Sequence, residues 1–283
     1  MTRRRLWFGV PVLLVLVAGS AFANTCPAPG KTARRAKVGH ARMTRAKAAR
    51  AKAPAIDPKA RELLQRMSEY LGSLDRFTVH TEVTQEVIFP SGLAVDSDRA
   101  TDLKIERPDH LRADILSGMR NVQVFYDGKN VTLYTPKQNL YGEWPAPPTI
   151  DQLITAAEQR GLSFPASDFL FRTPYQVLIA GVQRGSYVGK ALVRGVMADH
   201  LAFRQKGLDW QLWIQEGDKP LPIRLAIADR AVKGNPRYSI TMTDWDTSPT
   251  LAAAMFTFTP PEGAKKIAVL DLSQLRARRI ASK

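Results

Sequence analysis

The chain has a single cysteine in 283 residues, Cys26. A disulfide framework and a multi-cysteine zinc site are both excluded. It has four histidines, His40, His80, His110 and His200, none spaced with other ligands as a metal site requires. Acidic residues are missing from both ends. Residues 1–53 carry twelve Lys/Arg and no Asp or Glu, and residues 273–283 carry four Lys/Arg and no acid. The other 25 basic residues face all 26 acids, which leaves residues 54–272 at −1 although the whole chain is +15. A folded nucleic-acid-binding surface needs its basic residues on the body, so none is expected. Beyond the N-terminus no run approaches the ~20 apolar residues of a membrane-spanning helix.

Reactive constellations are also scarce. In Gly185-Ser186-Tyr187-Val188-Gly189 the serine is second rather than third, so a nucleophile elbow is not formed. The spacing from Gly185 to Lys190 is one residue short of a phosphate-binding loop, and no Ser or Thr follows the lysine. Asp96/Asp98 and Asp244/Asp246 fall at strand ends, where aspartate commonly closes turns. With no nucleophile, base and orienting group in reach, the expectation is a non-catalytic protein that uses no cofactor and no metal.

The N-terminus is informative. Arg3-Arg4-Arg5, an apolar run from Leu6 to Ala18 and the small-residue site Ala21-Phe22-Ala23 follow the order of an export signal. This predicts cleavage after Ala23, a periplasmic protein beginning at Asn24, and a signal peptide over 1–23. Thr25 before Cys26 does not fit a lipidation site. Residues 24–56 form a linker in which Ala alternates with Lys and Arg over 31–53. It offers too little apolar surface to offset ordering, so disorder is expected. Outside the inner membrane its natural polyanion is an anionic membrane surface, at roughly 1 kcal/mol per Lys/Arg. A solvated linker is the plainer reading. Residues 273–283 are a second basic tail.

The body, 57–272, reads as one α+β domain. Asp57-Pro58 caps a helix whose stripe is Leu63, Leu64, Met67, Tyr70, Leu71 and Leu74. Odd positions from Phe77 to Phe89 then alternate with His80, Glu82 and Glu86, predicting a long strand with one wet face. Strands follow at 98–107, 110–117, 120–127, 130–135 and 139–144. Helices are expected after Thr149 and over Pro174–Val182, around an apolar loop with Phe164, Phe169, Leu170 and Phe171. Strands resume at 185–194, 197–206, 208–216, 221–229 and 236–246. Short turns without intervening helices predict an antiparallel meander of about eleven strands, one curved sheet with helices on its concave side. Those helices either complete the core or leave a ligand cavity in the mouth of the sheet; sequence favours neither.

Three stretches, in order, carry a resemblance. Phe256-Thr257-Phe258-Thr259-Pro260-Pro261-Glu262-Gly263 resembles the closing F-x-F-x-P-P-x-G signature of the periplasmic lipoprotein-carrier superfamily, the LolA, LolB and RseB-like domains. Glu106-Arg107-Pro108-Asp109-His110-Leu111-Arg112 is similar to that family's basic-Pro turn. Tyr126-Asp127-Gly128-Lys129 through Tyr134-Thr135-Pro136 is similar to its D-G-K…Y-x-P hairpin. The chain fits a branch of predicted periplasmic proteins sharing that fold. The resemblance implies a LolA-like unclosed β-barrel with a helical lid over an apolar cavity. The implied function is a binder or carrier of lipid, acyl chains or acylated protein; an envelope-stress sensor or protein-interaction scaffold is the alternative. Arg107 matches an arginine that latches the lid, and Arg112 is expected beside it at the mouth. Strand parity assigns the cavity lining to Val79, Val83, Leu103, Ile105, Val124, Leu133, Trp210 and Leu212.

Overall fold

The structure, a computed structural model, describes residues 55–118, 121–159 and 166–268. The signal peptide, nearly all of the basic linker, Phe164 and the C-terminal tail lie outside the described residues. Helix α1 (Pro58–Ser73) starts where expected: Asp57 Oδ1 accepts the Lys59 N–H at 2.8 Å, and Pro58 supplies the first turn. Its buried face is Ala60, Leu63, Leu64, Met67, Ser68 and Leu71.

Six antiparallel strands follow: β1 (Arg76–Ile88), β2 (Ala94–Glu106), β3 (His110–Ser117), β4 (Val122–Asp127), β5 (Asn130–Thr135) and β6 (Leu140–Pro145). Then come α2 (Ile150–Gln159), a 3-10 turn at Ser167–Leu170 and α3 (Pro174–Ile179). Five more strands complete the meander: β7 (Val182–Val193), β8 (Val196–Gln205), β9 (Leu208–Gln215), β10 (Pro222–Asp229) and β11 (Arg237–Asp246). A short β12 (Lys265–Lys266) brings the count to twelve rather than eleven. The order is β12-β6-β5-β4-β3-β2-β1-β11-β10-β9-β8-β7, one open sheet with β1 near its centre.

Alternation and register together put the core on one face. Phe77 lines up with Ile105, Leu111, Tyr126, Val131 and Trp144 across six strands. Val83 lines up with Ile240, Leu225, Leu212, Leu201 and Tyr187 across the other half. The helices pack on this concave face: Leu64, Met67 and Leu71 of α1, Ile150 and Ile154 of α2, and Leu178 of α3 join the same buried cluster.

Two sequence expectations are corrected. Helix α3 ends at Ile179, because Gly181 (φ +79°) turns the chain into β7. Val87 and Phe89 share the face of Phe77 but are exposed, since β1 outruns the elements that could cover it. On the wet face of β1, His80 Nδ1 lies 2.6 Å from Asp102 Oδ1 and Glu82 pairs with Arg194 at 3.1 Å.

Gly72 marks where the helical layer is tightest. A β-carbon there would sit 2.5 Å from the Arg172 carbonyl oxygen. That carbonyl cannot retreat freely, because the Arg172 guanidinium bonds Asp75 at 2.8 Å and its N–H is held by the Asp151 carboxylate. Gly72→Ala gains up to about 1 kcal/mol of helix propensity but meets overpacking of about 1–3 kcal/mol. A net destabilisation, read from the urea midpoint, is expected.

Candidate functional site

The concave face is sealed unevenly. Of the eight residues assigned to the lining, Val79, Val83, Ile105, Trp210 and Leu212 are buried in the main core. Leu103, Val124 and Leu133 are only half-buried, and they fall on one row, Leu103–Ala113–Val124–Leu133–Gly142. Ile115, Val122 and Leu140 flank that row on the same face and are also half-buried. The helices therefore complete the core on one side of the sheet, while the β2–β6 side keeps an apolar strip that they do not fully cover. Higher on the sheet, a cleft of about 490 Å³ belongs mainly to the outer face of β1, β2 and β3, where Glu82, Thr84, Asp98, Ala100 and Leu116 line it.

Arg107 ties the covering segments to the sheet. Its Nε donates to the Leu74 carbonyl (3.1 Å), Nη1 to Leu170 (2.5 Å) and Nη2 to Phe171 (3.4 Å). The guanidinium also stands 5.8 Å from the Phe77 ring centre. Adjacent main-chain groups complete the junction: the Arg107 N–H donates to Asp75 and the Ile150 N–H to the Pro108 carbonyl. One turn after β2 thus holds the end of α1, the start of α2 and the 167–171 segment. Burial pushes the Arg107 pKa down to about 10, so the side chain stays charged at neutral pH.

Arg112 is not part of this mouth. It alternates with Leu111, which faces the core, so it lies on the outer face. There it forks onto Asp114 (Nε 3.0 Å), stacks over Phe125 at 4.8 Å and donates to the Met255 carbonyl. Its neighbours show the role of the closing signature. Phe256 is fully buried against the His110 ring, and Phe258 contacts Phe125, Tyr134 and Tyr141 at 5.1–5.3 Å. The signature is an outer strap, ending in β12 beside β6.

Sequence reading missed Arg99. The pairing Val83↔Arg99 turns it to the concave face, where it donates to Gln85 at 3.5 Å and lies 5.9 Å from the Tyr238 ring centre. Aligning β2 against β1 would have revealed it, but that needs the turn length at Phe89–Leu93. Also missed was a polar cluster at the other end of the sheet. The buried Asp199 carboxylate accepts from Tyr187 OH (3.0 Å) and Lys190 Nζ (3.0 Å), and Lys190 also pairs with Glu216. Those two carboxylates raise the Lys190 pKa above its ordinary value. His110 lies beside Asp109, and His200 contacts Gln211 and stacks on Trp213. Among the described residues no three His, Cys, Asp or Glu side chains converge as metal ligands. No described helix is long and apolar enough to cross a membrane.

A family model described as "Predicted periplasmic protein (DUF2092)" matches residues 60–270. The chain belongs to this family. Membership places this DUF2092 protein in the periplasm. No curated protein matches it. Among solved structures it resembles an uncharacterized conserved protein from Thermus thermophilus (16% identity, TM-score 0.44, 75% of this chain and 99% of that one). It also resembles the MucA/MucB complex structure from Pseudomonas aeruginosa (15%, 0.41, 71% and 61%). A third similar structure is the LolA superfamily protein NE2245 from Nitrosomonas europaea (11%, 0.35, 70% and 97%). The open, curved antiparallel sheet with helices on its concave face agrees with the α+β fold expected from the sequence.

Proposed function

We propose that the chain is a periplasmic, non-catalytic binder or carrier of acyl chains, presented by a lipid or an acylated protein. The observation that carries this reading is the half-buried apolar strip of Leu103, Ile115, Val122, Val124, Leu133 and Leu140, beside a lid segment tied down by Arg107. Each methylene laid on such a strip contributes about 0.8 kcal/mol, so about ten give up to ~8 kcal/mol before immobilisation costs. That supports micromolar capture without a reactive group. Of the assigned lining, Val79 and Ile105 adjoin this strip on β1 and β2, whereas Val83, Trp210 and Leu212 belong to the closed core. Arg99 offers a charge-assisted partner for a carboxylate or phosphate at the upper end. The basic segment 31–53 adds salt-sensitive attraction to an anionic membrane.

Leu133→Trp and Val124→Trp fill the strip without adding charge. Each is expected to reduce saturable uptake of a fluorescent fatty acid about tenfold while the urea midpoint moves little, since both side chains are only half-buried. Uptake equal to wild type in both variants would remove the strip from consideration.

A scaffold or sensor role draws on a different observation. Val188, Leu192, Val196 and Met197 are all exposed on the β7–β8 hairpin, at the edge of the sheet. A protein partner recognised there would leave acyl uptake untouched by substitutions on that hairpin, and the strip variants would leave partner binding unchanged.

A further inference from the structure

The β1–β2 hairpin reaches past both of its neighbours. Pairing between β1 and β2 runs out to Ile88↔Ala94, but β3 pairs with β2 only from Arg99, and β11 pairs with β1 only as far as Gln85. The projecting tip is two-faced. Val87 pairs with Val95, and the Phe89 N–H bonds the Leu93 carbonyl at 2.9 Å, so these four side chains continue one face. All four are exposed, Phe89 by 48% and Leu93 by 60%. Glu86, Asp96 and Asp98 alternate with them and belong to the opposite face. A solvated hairpin tip ordinarily carries polar residues, and clustered exposed apolar residues mark a contact surface.

The adjoining loop supplies positive charge. Residues 230–236 join β10 to β11, and with Arg237 at the start of β11 they supply Arg230, Lys233 and Arg237 without an acid. The loop lies against the hairpin: a β-carbon at Gly234 would stand 3.1 Å from Ile88 Cγ1, and the Arg237 N–H donates to Glu86. Arg230 is engaged with Asp209 at 3.1 Å, whereas Lys233 and Arg237 have no ion-pair partner among the described residues. Exposed Val232 sits between these cations.

We propose that this end of the sheet is a membrane-docking surface, with Phe89 and Leu93 entering the headgroup–acyl boundary of an anionic bilayer and Lys233 and Arg237 resting on its phosphates. An apolar tip with unpaired cations on the adjoining loop is the composition an interfacial contact uses, while the acids Glu86, Asp96 and Asp98 stay on the opposite face of the hairpin. The proposal does not depend on the cargo reading, because it concerns the exterior of the tip.

The test uses the exported chain with Cys26→Ser, labelled with a nitroxide at Phe89→Cys, or at Leu192→Cys on the opposite end of the sheet as control. Vesicles of phosphatidylethanolamine and phosphatidylglycerol are added. The expected result is a rise in oxygen accessibility and a fall in nickel-chelate accessibility at position 89 only. Phe89→Asp with Leu93→Asp is expected to lower vesicle partitioning about tenfold, with an unchanged urea midpoint and unchanged uptake of a soluble fatty acid. Three results would overturn the proposal: no vesicle binding; binding with position 89 still in water, which assigns adhesion to the basic arm; or protection of position 89 by protein alone without lipid, which makes the tip a protein interface.

Discussion

Arg107→Ala is expected to be among the most damaging single substitutions in the chain, lowering stability by about 3–5 kcal/mol. The carbonyls of Leu74, Leu170 and Phe171 each lose a donor, and Leu74 keeps a second one in Arg172 Nη1 at 3.4 Å. Each buried unsatisfied carbonyl costs about 1–3 kcal/mol. Against that stands the relief of a desolvated charge, visible in the pKa pushed down to about 10. The carbonyl term wins, because more than one acceptor loses a donor and the relief is counted once. Arg107→Met separates the two effects. It keeps the apolar volume over Phe77 but removes the same three donated bonds, so it should rescue little. Arg107→Lys keeps the charge but lacks the fork that spans three acceptors, and should fall between. Urea unfolding measures the loss, and amide exchange should show residues 167–172 opening before the sheet. A methionine variant as stable as wild type would show that the junction contributes nothing.

The outer strap carries the second large effect. Phe256 is fully buried outside the sheet, edge-on to His110 at 5.2 Å, so Phe256→Ala is expected to lose about 3–4 kcal/mol. Phe258 is half-buried among Phe125, Tyr134 and Tyr141, and its truncation should cost about 1–2 kcal/mol. The strap is also hydrogen-bonded at its far end, where Lys265 and Ile267 N–H groups meet the Asn139 and Tyr141 carbonyls. Phe256→Ala should therefore leave β12 in place and expose the stretch before it to limited proteolysis. A loss under about 1 kcal/mol would mean the signature has a role other than packing.

Much of the fold could be read from alternation. The odd face of β1 is the core face from Phe77 to Gln85, and the strand order follows from short turns. Val87 and Phe89 show where that reading ends. Period two tells which residues share a face, while coverage depends on how far β3 and β11 extend, and no local pattern encodes that. Arg112 shows a different limit. It is five residues from Arg107, an odd separation that carries it to the opposite face once β3 begins at His110. Nearness in sequence suggested one mouth; parity separates the two arginines. Arg99 was hidden because its face is set by pairing with Val83 across a turn. β12 is two residues long and pairs in parallel with a strand about 125 residues away, a contact with no local signature. The half-covered strip at Leu103, Val124 and Leu133 was legible as apolar, but its incomplete cover is a property of where α2 comes to rest.

Native mass spectrometry of the protein isolated from the periplasm without detergent, followed by mild organic extraction, tests the acyl-carrier reading most directly. The account predicts a chain carrying one added mass in the range of a lipid or fatty acid. Extraction should remove it, a saturating acyl probe should restore it, and it should be lost in Leu133→Trp. A bare chain that takes up no acyl probe at any concentration would contradict it.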